Sequence, residues 1–446
     1  MQRNGRLPDH DFKSQPLWWD EDPPFRSDDE TLPGQCDVAV IGGGFAGLST
    51  ALELARNGSR VVVLEADAFG FNASGRNSGG ISFGLDPNKA AGWHRWSGGT
   101  APPVAELARG AAESVTFLEK FIAEQAIDCD YHRRGRLSCA PGPAQYEALS
   151  RRLDPLNRLF DADAHMVPRA EQQSEIGSDR FHGLMVVKRS GQLNPAKLVK
   201  ALVGLCRQSG AHLFSDTLVT AIERRASGFT LATVRGNLQA DTVVVAVNAQ
   251  AARLSSAGLA SRVVPVASHI IVTEQLPEAM ASALLPNRRT GSDGRRLLAY
   301  FRRTPDGRRF LYGSRASPFD VSPERAAAVL YRRMIATFPS LDGVRIRHAW
   351  GCKVGFTFDG LPHLGEIDGL HYIMGCNGNG VAMMNYLGYR LARKMIERTG
   401  QASVFDQPIF PTLPLYRGSA WFLPLVSTLY GLLDRKDEWR ARMSQG

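Results

Sequence analysis

The chain has 446 residues, of which 43% are hydrophobic and 22% charged, the composition of an ordinary globular protein of one to three domains. Its formal net charge is +9, but the basic residues form no run interleaved with aromatic residues, so nucleic-acid binding is disfavoured. The six cysteines include no CxxC pair, which argues against a zinc site or a disulfide framework, and we expect no bound metal.

The two ends of the chain are polar or broken by proline. Residues 1–34 predict an N-terminal arm that Trp18 and Trp19 hold on the surface, and they contain no apolar core of a secretory signal. The apolar block within residues 419–436 is interrupted by Pro424, and we expect it to pack on the core or an interface rather than on a membrane. No apolar run reaches the roughly 18 residues of a membrane-spanning helix. We therefore predict a cytoplasmic protein without a transmembrane segment.

Residues 37–65, DVAVIGGGFAGLSTALELARNGSRVVVLE, predict a strand, a glycine-rich turn, a helix and a second strand. Gly42 permits the tight turn, Gly44 lets the backbone approach a pyrophosphate, and Gly47 lets the helix pack closely on the sheet. The start of the helix offers N–H groups and a positive dipole to phosphate. Glu65 follows the second strand, where a carboxylate accepts hydrogen bonds from ribose hydroxyls. This context predicts a dinucleotide site rather than an ordinary βαβ unit.

Residues 68–84, AFGFNASGRNSGGISFG, are dense in glycine, serine and asparagine. A loop of this composition can bring main-chain N–H groups close to a ligand. Its position directly after Glu65 favours ligand contact over a merely flexible connection.

The rest of the chain alternates helical and strand patterns. Amphipathic periodicity predicts helices over residues 105–125, 145–160, 195–206 and 323–338. Apolar runs predict strands over residues 134–140, 183–187, 211–221, 228–234, 242–247, 263–275, 295–303, 308–315 and 371–374. The mixture predicts a mixed α/β fold, in which a Rossmann-type domain is interwoven with a second domain built on a large antiparallel sheet.

A second glycine-rich turn lies within residues 370–396, LHYIMGCNGNGVAMMNYLGYRLARKMI, between a predicted strand and a predicted helix. The start of such a helix stabilises negative charge. A reduced flavin carries negative charge around N1 and C2=O, whereas a nicotinamide does not. This turn therefore favours FAD over NAD as the cofactor and disfavours an NAD-dependent dehydrogenase.

Several motifs together carry a family resemblance: VIGGGFAGLSTALELARNG with VVVLEA, ASGRNSGG, VPVASHIIVTEQL, and TFDGLPHLG with GCNGNGVAMMNYLG. They span residues 36–396, and on them the chain resembles FAD-dependent oxidoreductases of the D-amino-acid oxidase superfamily, which includes glycine and sarcosine oxidases. ASGRNSGG and the N-terminal PLWWD are most similar to the γ-glutamylputrescine oxidase-like branch.

The resemblance implies a discontinuous FAD-binding domain and a cap domain over the substrate. The first would comprise residues 35–100, about 150–255 and 340–446, and the second about 101–150 and 256–339. Residues 246–249 are implied to touch the adenine side. The other implied FAD contacts are Gly42, Gly44, Phe45, Ala46, Gly47, Glu65, Ala66, Ser74, Gly75, Arg76, Asn77, Gly79, Gly378, Gly380 and Val381.

The implied reaction is oxidation of the C–N bond of a primary or secondary amine. Hydride passes from the carbon next to nitrogen to flavin N5, the imine hydrolyses, and O2 is reduced to H2O2. Two alternatives stay open: a dehydrogenase of the same fold that passes electrons to a quinone or a partner protein, and a non-catalytic flavin-binding subunit. The expected partners are thus a small-molecule amine and O2 or another electron acceptor, and the sequence indicates no oligomeric state.

Two departures from the family concern the substrate. Sarcosine oxidase-like relatives place a lysine two residues after the last glycine of the turn, where it binds the substrate α-carboxylate, whereas this chain has Ala382. The loop after ASGRNSGG also lacks an arginine. An amine whose carboxylate is distant or absent fits better. Arg302, within AYFRR, is the candidate substrate cation, with a surface role beside Arg303 as the alternative.

Other candidate residues have one proposed role each. Cys352 stands five residues before Thr357, the spacing of the cysteine that bonds to flavin in sarcosine oxidase-like relatives; the alternative is a small buried hydrophobic side chain. The remaining candidate catalytic residues are Lys353, to neutralise reduced flavin, His348, to orient the substrate or perturb the pKa of its amine, and Tyr300, to line the cavity.

Overall fold

The computed structural model describes residues 11–27, 31–85, 102–254, 258–315, 321–398, 400 and 403–443. The strands in these residues are β1 Gln35–Ile41, β2 Val61–Leu64, β3 Gly80–Ile81, β4 Arg136–Cys139, β5 Ala164–Val167, β6 Leu184–Val187, β7 Gly191–Gln192, β8 His212–Phe214, β9 Val219–Arg224, β10 Phe229–Thr233, β11 Gly236–Val245, β12 Val264–Thr273, β13 Thr290–Asp293, β14 Ala299–Arg303, β15 Phe310–Ser314, β16 Ile346–Phe356, β17 His363–Ile367 and β18 Leu370–Met374. The helices are α1 Phe45–Arg56, α2 Ala73–Arg76, α3 Val104–Glu124, α4 Pro143–Phe160, α5 Pro195–Gln208, α6 Glu278–Leu284, α7 Pro323–Thr337, α8 Gly380–Glu397 and α9 Leu423–Met443.

The first sheet has the order β17-β18-β11-β1-β2-β8, and the β9-β10 hairpin extends it alongside β11. Strands β18, β11, β1, β2 and β8 run parallel. Residues 38–41 and Val61–Leu64 are continuous apolar runs, as expected for parallel strands that are covered on both faces. The carboxyl ends of these strands therefore meet at one edge, where open α/β sheets bind their ligands.

Helices α1 and α8 pack against each other at close range beside this sheet. Ser49 Oγ donates to Asn385 Oδ1 at 2.8 Å, and Thr50 Oγ1 donates to the Gly388 carbonyl at 3.1 Å. A Cβ at Gly388 would overlap the main chain of Ala46, so only glycine permits this approach. The contact fixes the starts of both helices relative to the edge of the sheet.

The second sheet has the order β16-β12-β15-β14-β13-β4-β6-β5 and is antiparallel except between β4 and β13. One face is covered by α7 and a core that includes Phe301, Phe310, Tyr312, Leu330, Met334 and Phe338. The other face carries a cluster of Ile270, Val272, Leu311 and Trp350, against which Trp18 packs. Strands β5, β6 and β16 of this sheet lie within the ranges predicted for the FAD-binding domain, and the domain boundaries stay a prediction.

The predicted mixed α/β class is confirmed, and the four predicted helices appear as α3, α4, α5 and α7 with ends within two residues. Two strand predictions need correction. Residues 211–221 form two strands, because Asp216 adopts a φ of 50° and turns the chain between β8 and β9. The strand predicted from residue 295 begins at Ala299, because Asp293 Oδ1 accepts the N–H groups of Arg295 and Ala299 and folds the intervening residues into a loop.

The N-terminal arm crosses from the second sheet to the first. Lys13 exchanges main-chain hydrogen bonds with Arg347 and Ala349 beside β16, and Phe25 accepts one from Phe69. Trp18 is 3% exposed, and Trp19 stacks on Phe71 with ring centroids 5.5 Å apart. The prediction that both tryptophans hold the arm is confirmed.

The C-terminal helix α9 lies against the second sheet. Asp434 accepts the main-chain N–H groups of Arg296 and Leu297, each at 3.1 Å, and Leu423 packs in a cluster around Tyr416. These contacts join part of the segment to the protein, while its outward side exposes Leu425, Leu429 and Leu432, so packing of the whole segment on the core or an interface stays a prediction. In the described part of the chain, no helix combines the length and apolar character needed to cross a bilayer.

Candidate active site

A cleft opens at the carboxyl ends of β1, β2 and β11, where the parallel topology predicts it. The space between its walls, counted with the solvent at its open mouth, is about 890 Å³. Residues 246–249, predicted for the adenine side, line it. So do seven of the other residues predicted to contact FAD: Gly42, Gly44, Phe45, Ala46, Glu65, Ala66 and Ser74.

Helix α1 begins inside the cleft. Gly44 is its N-cap and provides no capping side chain, so N–H groups of the first turn stay free for an anionic ligand. Ser74 Oγ accepts the Phe45 N–H at 3.0 Å and ties the following loop to the helix start. A Cβ on Gly44 would lie 2.8 Å from Ser74 Oγ, and one on Gly47 would overlap the Gly42 carbonyl. Close approach of the main chain requires glycine at position 47, and close approach of the Ser74 hydroxyl favours it at position 44.

The Glu65 carboxylate is fixed at the wall of the cleft by two main-chain donors. Oε2 accepts the Gly43 N–H at 2.7 Å, and Oε1 accepts the Asp67 N–H at 3.0 Å. Burial raises the pKa of the Glu65 carboxyl, and these hydrogen bonds partly offset that effect. Each oxygen keeps acceptor capacity, so the group can accept hydrogen bonds from two neighbouring hydroxyls of a ribose.

Sequence analysis missed part of the cleft wall. The Asn72 amide donates to Asp67 at 3.2 Å, the Gln250 amide donates to Asn72 Oδ1 at 3.3 Å, and Arg253 donates to Asp67 at 3.4 Å. Residues 217–219 follow β8, a parallel strand that ends at the same edge, and this position is the signal that could have found them. The further lining residues not predicted are Thr217, Leu218, Val219, Leu254, Ile373 and Met384.

The loop of residues 72–79 is held by its own side chains. Asn77 Nδ2 donates to the carbonyls of Ala73 and Ser74 at 3.0 and 2.8 Å, and its Oδ1 accepts the Gly79 N–H at 2.8 Å. The Asn77 carbonyl accepts from Trp18 Nε1 at 3.0 Å. A Cβ on Gly75 would overlap the carbonyl of Gly70. The predicted residues of this loop therefore shape it, whether or not each touches a ligand.

Arg302 supports the same loop from the second sheet. It is 1% exposed, and its Nη1 donates to the carbonyls of Ser78 and Leu193 at 2.8 and 2.9 Å, while its Nε donates to the Arg303 carbonyl at 3.0 Å. Burial lowers the pKa of Arg302 to about 9. The surface alternative is wrong, because the side chain is buried. Its donors are engaged by main-chain carbonyls, an arrangement that positions the loop.

Arg76 places a positive charge between the two sheets. Its guanidinium lies 4.6 Å from the ring centroid of Trp19 and 4.5 Å from that of Phe71. Its Nη1 donates to the Gly351 carbonyl at 3.0 Å, which joins the loop to β16. Burial lowers the pKa of Arg76, and the neighbouring Cys352 partly offsets this. The arm, the loop and β16 thus meet at this half-buried cation.

The second glycine-rich turn lies against the end of β16. Asn248 Oδ1 accepts the Gly375 N–H at 3.0 Å, and Asn377 Oδ1 accepts the Thr357 N–H at 3.0 Å. Gly378 has a φ of 85°, which suits glycine, and a Cβ there would lie 3.8 Å from Phe356 Cζ. The predicted Gly380 and Val381 form the first turn of α8, and Val381 is buried. The turn therefore brings a second helix start toward the second sheet.

Facing this turn, the second sheet presents a surface that we call the sheet wall: Ser268, Tyr300, Arg315, Cys352 and Phe356. Ser268 pairs opposite Cys352, and its Oγ lies 2.9 Å from Tyr300 Oη. The Arg315 guanidinium lies 4.9 Å from the Phe356 ring centroid. Burial raises the pKa of the Tyr300 phenol and raises that of the Cys352 thiol to about 12, so both groups are protonated at neutral pH.

Two predicted catalytic residues lie apart from the sheet wall. His348 is buried beneath the arm, with Nδ1 3.3 Å from the Gln15 carbonyl and Nε2 3.4 Å from Asp20 Oδ2, and burial lowers its pKa. It joins β16 to the arm. Lys353 lines the dinucleotide cleft. It follows Cys352 directly, and successive side chains of a strand point to opposite faces, so the two residues serve different sides of β16.

The residues of the cleft fit FAD. The uncapped start of α1 suits a pyrophosphate, the fixed Glu65 carboxylate suits a ribose, and the start of α8 suits the negative charge of a reduced flavin. In the part of the chain that the structure describes, no three His, Cys, Asp or Glu side chains are grouped to hold a metal ion. The site is that of a flavoprotein.

The chain belongs to the FAD dependent oxidoreductase (DAO) family, whose model matches residues 37–394. It is 30% identical over 407 residues to γ-glutamylputrescine oxidoreductase of Escherichia coli K12, with 88% of this chain and 89% of that protein covered. It is 31% identical over 435 residues to probable oxidoreductase OrdL of Rhizobium meliloti 1021, with 94% and 97% covered.

The crystal structure of glycine oxidase from Geobacillus kaustophilus matches with a TM-score of 0.72 at 25% identity, over 86% of this chain and 99% of that one. These findings confirm the resemblance, the fold class and the cofactor. The chain is an FAD-dependent oxidoreductase that acts on amines or amino acids.

Proposed function

We propose that this enzyme oxidises the C–N bond of a primary or secondary amine related to γ-glutamylputrescine, with O2 as the electron acceptor and H2O2 as the product. The observation that carries the proposal is the half-buried cation Arg76, which lies near Cys352 where the loop of residues 72–79 meets β16. The likeness to γ-glutamylputrescine oxidoreductase over most of both chains supports the substrate class.

FAD, held at the start of α1 and beside Glu65, would supply the acceptor for a hydride from the carbon next to the amine nitrogen and the means to pass both electrons to O2. A neutral amine is the better hydride donor. Arg76 lowers the pKa of a nearby ammonium group by charge repulsion and so favours the neutral amine. The aromatic and hydroxyl groups of the sheet wall, Tyr300, Ser268 and Phe356, orient the substrate and exclude water.

Ala382 supports a substrate that lacks an α-carboxylate at the reacting carbon. This residue is buried in α8 and carries no charge, at the position where sarcosine oxidase-like relatives have a carboxylate-binding lysine. In γ-glutamylputrescine the carboxylate is many bonds from the primary amine. Such a substrate does not need a cation at position 382.

We further propose that the enzyme acts in the cytoplasm. All six cysteines are free thiols, and four of them, Cys36, Cys129, Cys139 and Cys206, are buried. Free thiols are typical of a reducing compartment. Fractionation of cells that produce the protein, followed by detection of the flavin-bound protein in each fraction, tests this location.

The test of function starts with the absorption spectrum of the purified protein and an anaerobic titration with a panel of amines. Flavin bands bleached by γ-glutamylputrescine, followed by peroxide formation under air, support the proposal. Bleaching without peroxide, restored by a quinone, identifies a dehydrogenase instead. A flavin that no amine of the panel reduces favours a flavin-binding subunit and contradicts the proposal.

A further inference from the structure

Arg315 is a cation of the sheet wall that the sequence did not single out. It directly follows β15, and its carbonyl accepts a hydrogen bond from Arg333 Nη1 at 2.9 Å, which anchors the end of the strand. Burial lowers the pKa of Arg315, and the groups that offset this are two phenols, Tyr430 and Tyr300, with no carboxylate of the described residues among them. The Arg315 side chain is half-buried. A ligand that carries a negative charge would compensate the solvation that its guanidinium has lost.

The surroundings of Arg315 point toward the reacting end of the site. Its guanidinium stacks over Phe356, 4.9 Å from the ring centroid, and the tip of the same ring approaches Gly378 in the glycine-rich turn. On its other side, the Tyr300 hydroxyl is bonded to Ser268 at 2.9 Å. Arg315 is therefore separated from the turn by the width of one aromatic ring.

The two arginines of this region differ in what they can bind. Arg302 donates to three main-chain carbonyls, so its donors are engaged by the protein itself. The Arg315 guanidinium lies over the face of the Phe356 ring, and a ring face does not occupy the N–H donors in the guanidinium plane. A carboxylate is the ligand that matches two parallel N–H donors of a guanidinium.

We propose that Arg315 is a specificity-determining residue that binds a carboxylate of the amine substrate, several bonds away from the C–N bond that is oxidised, with the Tyr300 hydroxyl as a second donor. The proposal rests on the function proposed above and names its substrate class: amines that carry a remote carboxylate. A free diamine, whose far end is a second ammonium group, meets a like charge at the same place and is disfavoured.

The test compares Arg315→Met and Arg315→Lys with Arg308→Met. Arg308 is an exposed arginine near the turn of the same hairpin, so its substitution removes an equal charge away from the sheet wall. The first measurement follows the flavin absorption during titration with glutarate, a dicarboxylate that cannot be oxidised as an amine. We expect Arg315→Met to weaken glutarate binding by about 10- to 100-fold, the range of a charge-assisted hydrogen bond. The affinity of Arg315→Lys for glutarate should lie between those of Arg315→Met and the wild type, and the affinity of Arg308→Met should match the wild type.

The second measurement is the pair of KM and kcat for γ-glutamylputrescine and for putrescine. Arg315→Met should raise KM for γ-glutamylputrescine with little change in kcat. It should therefore lower the ratio of kcat/KM for γ-glutamylputrescine to kcat/KM for putrescine. Unchanged KM and unchanged glutarate binding in both Arg315 variants would overturn the proposal, as would a wild type whose flavin does not respond to glutarate. If no amine reduces the flavin but glutarate binding depends on Arg315, the proposed function fails while the anion site stands.

Discussion

The carboxylate of Glu65 is oriented before any cofactor arrives, because the N–H groups of Gly43 and Asp67 hold both of its oxygens. Glu65→Ala should therefore weaken FAD binding by tenfold or more, since a hydrogen bond to a charged group is worth roughly 1.5–3 kcal/mol. Titration calorimetry of the apoprotein with FAD measures the change. Glu223→Ala, at an exposed position on β9, is the control. Equal affinity of Glu65→Ala and the wild type would remove Glu65 from the site.

Cys352 is held as a neutral thiol. Burial raises its pKa to about 12, although Arg76 partly offsets this effect. A thiol that stays protonated is a poor nucleophile. We expect acid precipitation of the wild type to release its flavin, and Cys352→Ser to behave in the same way. Flavin colour retained in the wild-type pellet and lost in the Cys352→Ser pellet would establish the covalent link instead.

Asp293 makes the stability of the second sheet depend on pH. Burial raises the pKa of its carboxyl from 3.8 to about 6. Between these values the folded chain binds a proton that the unfolded chain has lost, so the free energy of unfolding falls as pH rises from about 4 to 6.

Asp293→Asn removes this titration and keeps the acceptor oxygen for the N–H groups of Arg295 and Ala299. The stability difference between this variant and the wild type should change by roughly 3 kcal/mol between pH 4 and pH 7, in favour of the variant at pH 7. Urea unfolding at both pH values measures it. A difference that does not vary with pH would show that the Asp293 pKa is not raised.

At the scale of elements, the arm acts through Trp18. The Nε1–H of Trp18 satisfies the Asn77 carbonyl, within the loop that Asn77 shapes beside the FAD cleft. Trp18→Phe leaves that carbonyl unpaired and should cost about 1–3 kcal/mol of stability and speed the release of FAD. Trp421→Phe, at an exposed tryptophan, should change neither quantity. Far-UV circular dichroism in urea measures the stability, and the recovery of flavin fluorescence on dilution measures the release of FAD. Equal stability and equal FAD release of the Trp18→Phe and Trp421→Phe variants would contradict this role of Trp18.

Elements set by local patterns could be predicted from the sequence, and those set by distant contacts could not. The periodicity of α3 and the turn chemistry around Gly42, Gly44 and Gly47 depend on neighbouring residues, and the structure matches them. Arg302 lies within an apolar strand and Arg315 directly follows one, so the sequence around the two residues looks alike. Only the pairing of β14 with β15, and of β12 with β16, decides which of them meets the loop carbonyls and which meets Phe356.

For the same reason His348 and Cys352, four residues apart on β16, have different surroundings. The arm covers His348, whereas Arg76 faces Cys352. A contact between residues more than 250 positions apart leaves no local pattern. The functional assignment of a residue on β16 therefore required the structure, although the FAD cleft itself was predictable.

At the scale of the whole molecule, the FAD cleft gathers residues from β1, α1, β2, β9, β16, β18 and α8, and from the segment that follows β11. A ligand that binds only this assembled state stabilises it by about 2.7 kcal/mol at a concentration 100 times its Kd. We expect saturating FAD to raise the Tm of a single calorimetric transition of the apoprotein. FMN lacks the adenosine that Glu65 is predicted to bind, and it should raise the Tm less. Two transitions, of which FAD shifts only one, would show that the sheets unfold independently.

The first sheet joins strands that lie far apart in the chain. Its β1–β2 pair is complete at residue 64, but β11 adds the opposite side of the cleft near residue 245, and the glycine-rich turn follows β18, which ends at Met374. A growing polypeptide on the ribosome thus displays the phosphate-binding turn of Gly42 and Gly44 long before the rest of the pocket is synthesised. We therefore expect flavin capture at the last stage of biogenesis, and a polypeptide that stops before α8 should leave the ribosome colourless.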